Sequence, residues 1–527
     1  VKKTYLIGVL MFILLELSAQ KDVTVSGSLQ SDILFPESDQ SIGTESYKEK
    51  VLTNTYLDLS ASYLNYLTVG ARLEYLEHPL PGFEKDFAGW GVPYFYATGR
   101  YRWAELTVGD FYDQFGNGLI FRTYEERSLG IDNSIRGGRL LLRPLNGLRL
   151  KALGGKQRRY WKHNDSYVWG TDAEINIDEW LRVLSDHEAY WLLGGSYVGK
   201  HEKDEAIYIA PDKRLNLPLN VAAFDARMQF QKGGLNLIAD YAWKINDPSY
   251  DNGYSYDNGN ALLLSASYSK KGMSVLLQAK RSENMSYRSD RSMSGSSSFI
   301  NHLPAFTQQQ TYTLPALYPY ATQPLGEWAF QGETAYNFER NTVLGGKYGT
   351  LLKLHASHIR SLKDEGNGET YYQDVNVSVE KRLTEDFKLN LMYMNQRYNQ
   401  RIVEGHAENG DIIHSNIYVA EGTWQMNDKV ALRSELQYLN TKQGEGDWMF
   451  ALVEVSWPPY LMFSVSDLYN SGVTDLHYYM GTVTFTHKAH RLQAAYGRTR
   501  AGYNCAGGVC RYVPASKGFQ LSYNFNF

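Results

Sequence analysis

Few residues in this 527-residue chain have the type and spacing that chemistry needs. His487 and His490 form H-x-x-H across a tight turn. That is two ligands, where a structural metal site takes four and a catalytic one three. Asp251-Asn252-Gly253 and Asp257-Asn258-Gly259 repeat within one loop. Oxygen-rich loops can hold Ca²⁺, but Asp/Asn-Gly pairs are also common turn formers, and this spacing is not that of a calcium loop. Neither G-x-S-x-G nor H-E-x-x-H occurs. A protease or lipase whose groups converge from distant strands would leave no motif, and it stands as the enzyme alternative. The reading here is no enzyme, no metal and no cofactor.

The only two cysteines lie in Cys505-Ala506-Gly507-Gly508-Val509-Cys510. In an oxidising compartment they are expected to form a disulfide, because Gly507-Gly508 can turn the chain back. A redox or metal pair is the alternative, but the spacing is not C-x-x-C. The bond is expected in the last long loop, 500–515, as a stiffener of the loop tip.

The densest charge lies in Gly109–Leu142, GDFYDQFGNGLIFRTYEERSLGIDNSIRGGRLLL. Gly116 and Gly118 allow a bend, and Gly137-Gly138 allow close backbone approach. Between them stand Arg122, Glu125, Glu126, Arg127 and Asp132. A loop folded into a pore would set these charges across the channel, where rings of charge govern selectivity. A self-paired surface loop is the equal alternative. This segment resembles an uncharacterised family of outer-membrane barrel proteins from Bacteroidota, a domain of unknown function. The resemblance covers the whole mature chain and implies an outer-membrane location. It carries no activity to any residue.

The elements that must position such residues read as β-strands. Alternate side chains of a strand point to opposite faces. Leu67, Val69, Ala71, Leu73 and Tyr75 alternate with Thr68, Gly70, Arg72 and Glu74. Phe224, Ala226, Met228 and Phe230 alternate with Asp225, Arg227 and Gln229; Leu432 and Leu436 with Arg433 and Glu435. The chain ends on Phe519, Leu521, Tyr523, Phe525 and Phe527, each separated by one polar residue. That ending resembles the insertion signal of bacterial outer-membrane barrels. A β-sandwich shows the same alternation, so loop lengths must decide. Tight turns such as Asn427-Asp428 and Lys488-Ala489 alternate with long loops such as 283–326 and 200–219. Short turns on one side and long loops on the other mark a transmembrane barrel.

These signs predict one all-β domain: an antiparallel up-and-down transmembrane barrel of about 24 strands (22–26). Residues 1–19 read as a signal peptide, with the barrel filling 20–527. Both termini are expected in the periplasm. Asp178–Asp186 breaks the short-turn rule and reads as a short amphipathic helix. Within 283–326, the Pro- and aromatic-rich stretch from Leu303 is expected to fold over or into the mouth. The net charge of −4 excludes a basic nucleic-acid surface. The 41 Tyr, 11 Trp and 21 Phe fit aromatic belts at both membrane interfaces.

Function follows from the lumen. Arg72, Glu74, Arg122, Glu125, Glu126, Arg127, Asp132, Asp225, Arg227, Arg433 and Glu435 are the candidate lining residues. They favour a pore-like channel for small polar solutes. The alternative is a non-transporting accessory or scaffold subunit of an outer-membrane secretion, assembly or nutrient-uptake complex. An energised transporter is less favoured, since the first strand begins almost at the cleavage site. Expected partners are outer-membrane lipid, the barrel-insertion machinery and other envelope proteins, without nucleic acid.

Overall fold

A computed structural model of the chain describes residues 22–44, 47–295, 297–362, 368–405 and 410–527. The expected signal peptide, 1–19, lies outside them. Twenty-four long strands close into an antiparallel barrel. The first eight are β1 (Val23–Pro36), β2 (Leu52–Tyr63), β3 (Leu67–Leu76), β4 (Gly89–Tyr101), β5 (Ala104–Phe111), β6 (Ile135–Leu145), β7 (Leu148–Arg159) and β8 (Tyr167–Asn176). Next come β9 (Ala189–His201), β10 (Asn220–Lys232), β11 (Leu235–Lys244), β12 (Gly259–Lys270), β13 (Met273–Glu283), β14 (Gly326–Phe338), β15 (Thr350–Arg360) and β16 (Thr370–Arg382). The last are β17 (Phe387–Asn399), β18 (Ile412–Asn427), β19 (Val430–Asn440), β20 (Trp448–Trp457), β21 (Leu461–Asn470), β22 (Leu476–His487), β23 (His490–Thr499) and β24 (Ser516–Asn526).

Each strand pairs with its sequence neighbours, and β24 returns to β1. The closing register sets Leu29 beside Phe525, Ile33 beside Leu521 and Phe35 beside Phe519. Phe527 exchanges both backbone hydrogen bonds with Gly27. A Cβ on Gly27 would lie 2.5 Å from Cζ of Phe527, so this ring needs a glycine beneath it. Closure satisfies the N–H and C=O groups that a free edge would expose, which hydrocarbon cannot do.

The alternation resolves into faces as the sequence predicts. Phe224 and Met228 point outward and are exposed, while Asp225 and Arg227 point inward and are buried. Exposed rings cluster at the short-turn end, among them Tyr66, Tyr101, Trp103, Trp457 and Tyr460. Two connections at this end are longer than turns. One holds the predicted helix, as a 3-10 turn (Ile177–Glu179) and an α-turn (Arg182–Asp186). The other, 339–349, carried no periodic signal; its tip exposes Val343 and Leu344.

Candidate functional site

The site is the lumen, and its contents come from the chain itself. Two connections at the long-loop end, 112–134 and 284–325, fold inward. Phe115, Leu119, Ile120 and Phe121 of the first, with Met285, Ile300, Phe306 and Leu314 of the second, join one buried apolar cluster. Small wall residues face it: Val168, Val198, Ala223, Ala242, Ala261 and Ala329. The two loops also bond to each other. Arg122 N donates to Ile300 O at 2.8 Å, His302 N to Gly118 O at 3.0 Å, and Asn301 Nδ2 to Leu119 O at 2.9 Å. Burial of this apolar surface, at about 25 cal/mol per Å², is what draws the loops inward.

Charge fastens the first loop. Arg72 of β3 is buried and reaches Asp58 at 2.9 Å, Glu125 at 2.8 Å and Asp132 at 2.9 Å. Arg158 of β7 reaches Glu74 at 2.7 Å and Asp132 at 2.6 Å. Arg127 joins Asp58 to Glu125, each at 2.7 Å. Glu126 instead accepts from Ser128 N and starts a 3-10 turn. The Arg122 guanidinium lies over Tyr124, 4.7 Å from the ring centre. Three of the five crowded charges of this segment, Glu125, Arg127 and Asp132, are therefore held in ion pairs with wall residues. A second wall cluster sits below: Arg227 bonds Asp172, Glu174 and Asp225. Gly116, with φ +48, leaves room for it, since a Cβ there would lie 2.6 Å from Arg227 Cδ.

The second loop is held differently. Three fully buried wall lysines give their ammonium groups to its main chain. Lys200 of β9 donates to Arg288 O at 2.8 Å; Lys244 of β11 donates to Ser286 O, and Lys280 of β13 to Pro304 O. Acidic partners balance two of them: Asp247 lies 3.0 Å from Lys200, and Glu327 lies 2.7 Å from Lys280. Tyr287 hydroxyl donates to Val221 O at 2.9 Å. Leu314 N donates to Gln437 at 2.8 Å, and Gln437 in turn bonds Glu435, the partner of Arg433. Burial, with the charges of Arg122 and Lys280, depresses the pKa of His302 in this loop from 6.5 to about 3.

One space that is left is polar. Toward the short turns, a cavity of about 490 Å³ is floored by Gln308, Gln309 and Gln310 and walled by Glu333, Lys353 and His355, among others. Beside it, Ser357 Oγ lies 3.2 Å from His355 Nε2, and His355 Nδ1 lies 3.1 Å from Asp374. The order of contacts is that of a hydrolytic triad. Ser357, however, is buried and outside the cavity lining, so the three form a wall network. At the long-loop end, Glu202, Glu205 and Asp290 converge. Lys200, Arg291 and Arg159 already pair with Glu202 and Asp290, which leaves little net charge for a cation. Asp251 is likewise taken, by Arg288 at 2.6 Å, and Gly253 is left-handed; the Asp-Asn-Gly repeat at this point is a turn. His487 and His490 face each other in register and stack on Tyr460 and Phe525 respectively.

Sequence reasoning missed the lysines and the apolar upper wall. A signal was present. Near their long-loop ends the strands lose alternation and become apolar on both faces, as in Val221-Ala222-Ala223-Phe224. Lumen-facing alanine and valine need an apolar partner inside the barrel.

No curated protein matches the chain. Among solved structures it is similar to the siderophore receptor PirA from Pseudomonas aeruginosa, at 9% identity and a TM-score of 0.43, covering 95% of this chain and 80% of that one. It is similar to the P pilus usher PapC translocation pore at 12% identity and a TM-score of 0.46, covering 95% and 99%. The outer membrane protein OpdK from Pseudomonas aeruginosa is similar at 13% and 0.38, covering 85% and 99%. A family model matches residues 1–527, and the chain belongs to that family, the family of unknown function DUF6029.

Proposed function

We propose that this chain is a Gram-negative outer-membrane β-barrel kept closed by its own loops. It would act as a non-transporting accessory or scaffold subunit of an envelope complex. The short turns, the start of β1 and the end of β24 lie on the periplasmic side, and the long loops lie outside. Its contacts are lipid on the apolar belt, the insertion machinery through Phe519–Phe527, and other envelope proteins. The carrying observation is the apolar core inside the barrel: Phe115, Leu119, Ile120 and Leu314 are 0% exposed and pack on the wall. A diffusion channel is lined by water and polar groups instead.

Single-channel recording tests this directly. The intact protein should give no steady conductance, and removal of residues 303–325 should create it. Steady conductance through the intact protein would favour a second reading, a channel for small polar solutes. The polar inner cavity of about 490 Å³ supports that reading. Co-purification in mild detergent would then identify envelope partners. Deleting Phe527 should lower the amount that reaches the outer membrane, measured by fractionation.

A further inference from the structure

The last long loop carries a short hairpin, Gly502–Ala506 and Val509–Val513. Its two cysteines face each other in register and are joined. The hairpin does not stand free as a loop tip. Thr322 N, in the second inward loop, donates to Gly508 O at 3.0 Å. A Cβ on Gly508 would lie 2.7 Å from Thr322 Oγ1 and 2.9 Å from Ala305 Cβ. One on Gly507 would lie 3.3 Å from His302. On the flank, the Arg511 guanidinium lies 4.0 Å over the Phe83 ring and donates to Ser128 O at 3.2 Å. One small hairpin therefore touches loop 77–88 and both inward loops.

We infer that this hairpin is a strap holding the inward loops seated, and that its disulfide keeps the strap in the shape that grips. Between the strap and the second inward loop lies a cavity of about 250 Å³, bordered by Phe299, Leu303, Pro324 and Val509. The grip is thus made by the Gly507-Gly508 tip, not by a packed face. A two-stranded hairpin in water is marginal without such a staple, and an open hairpin would withdraw its tip. The strap rests on the inward position of the loops and holds whether or not the barrel conducts.

Hydrogen–deuterium exchange on the full barrel in detergent tests it, before and after a dithiol reductant. The reductant gives up two electrons and two protons to the Cys505–Cys510 bond, forming two thiols and becoming a cyclic disulfide. These are the chain's only cysteines, so the reagent acts at one place. Exchange over 302–325 should rise about tenfold, the signature of a local opening ~1.4 kcal/mol easier, with the strands unchanged. Cys505→Ser/Cys510→Ser should reproduce this without reductant. Gly508→Ala keeps the disulfide but crowds the tip off Thr322 and Ala305, and should also raise exchange over 302–325. A rise confined to 502–513, or no rise, would overturn the strap. Conductance is not the readout, so failure here is distinct from failure of the closed-barrel reading.

Discussion

The two inward loops share one core but are fastened by different chemistry. Residues 125–132 are held through side chains: Glu125, Arg127 and Asp132 pair with Arg72, Asp58 and Arg158. The second loop has ion pairs only in its outer part, at Arg288, Asp290 and Arg291, and is otherwise gripped by its backbone, with Lys200, Lys244 and Lys280 on its carbonyl oxygens. Side-chain pairing leaves a mark in both partners, so the charges of the first loop were visible beforehand. Every peptide has a carbonyl, so a loop gripped that way needs no charge of its own. A lysine in the wall then looks like pore lining when it is a clamp.

Crossed substitutions give the strongest test of this difference. Arg72→Ala leaves only Arg158 and Arg127 to balance Asp58, Glu74, Glu125 and Asp132, at a cost of about 3–5 kcal/mol. Exchange should rise over 124–132 while 299–306 stays protected. Lys280→Ala strands Glu327, buried at 0% exposure, and should free 303–327 while 124–132 stays closed. If either variant opens both loops together, the two fastenings are one cooperative unit and the distinction fails.

A control on the outer face should come next in size. Met228→Arg puts a cation on the lipid side, costing ~2–4 kcal/mol. Gln229→Arg on the lumen side should be tolerated. Heat-modifiable mobility on a gel reads the folded fraction, and equal losses would break the assignment of faces.

Acid sharpens the comparison with a smaller effect. The folded His302 has a pKa of about 3 against 6.5 unfolded. Between these values the unfolded loop binds a proton that the folded loop does not, so stability rises with pH. The contribution is complete above pH 6.5 and is lost as pH falls below it. From pH 7 to pH 5 the second loop should weaken by up to about 2 kcal/mol, at 1.36 kcal/mol per unit. Exchange rates corrected for intrinsic pH dependence measure this. His302→Gln should abolish the change, and the first loop should show none from this group.

Strand number, faces and the tight turns were legible because they follow from local rules, whereas the longer connection 339–349 was not. Alternation has a period of two residues, and a turn is a matter of a few residues. The fate of the long loops was legible only in part. The rings and prolines after Leu303 foretold a stretch able to pack, and it does fold into the mouth. The pairing Cys505–Cys510 was legible because only four residues lie between the partners. That the same hairpin lies on Thr322 was not.

What the sequence by itself determined is the wall: a closed antiparallel barrel with an apolar outer face and a terminal strand that meets the first. What only the tertiary structure decided is that two long loops fold into the lumen. Arg122 and Ile300, Lys280 and Pro304, and Thr322 and Gly508 belong to separate strands or loops, and their meeting depends on where the closed wall places them. Short-range periodicity carries no record of such pairs. A buried contact between distant loops is written in shape and burial, which exist only once the barrel has closed.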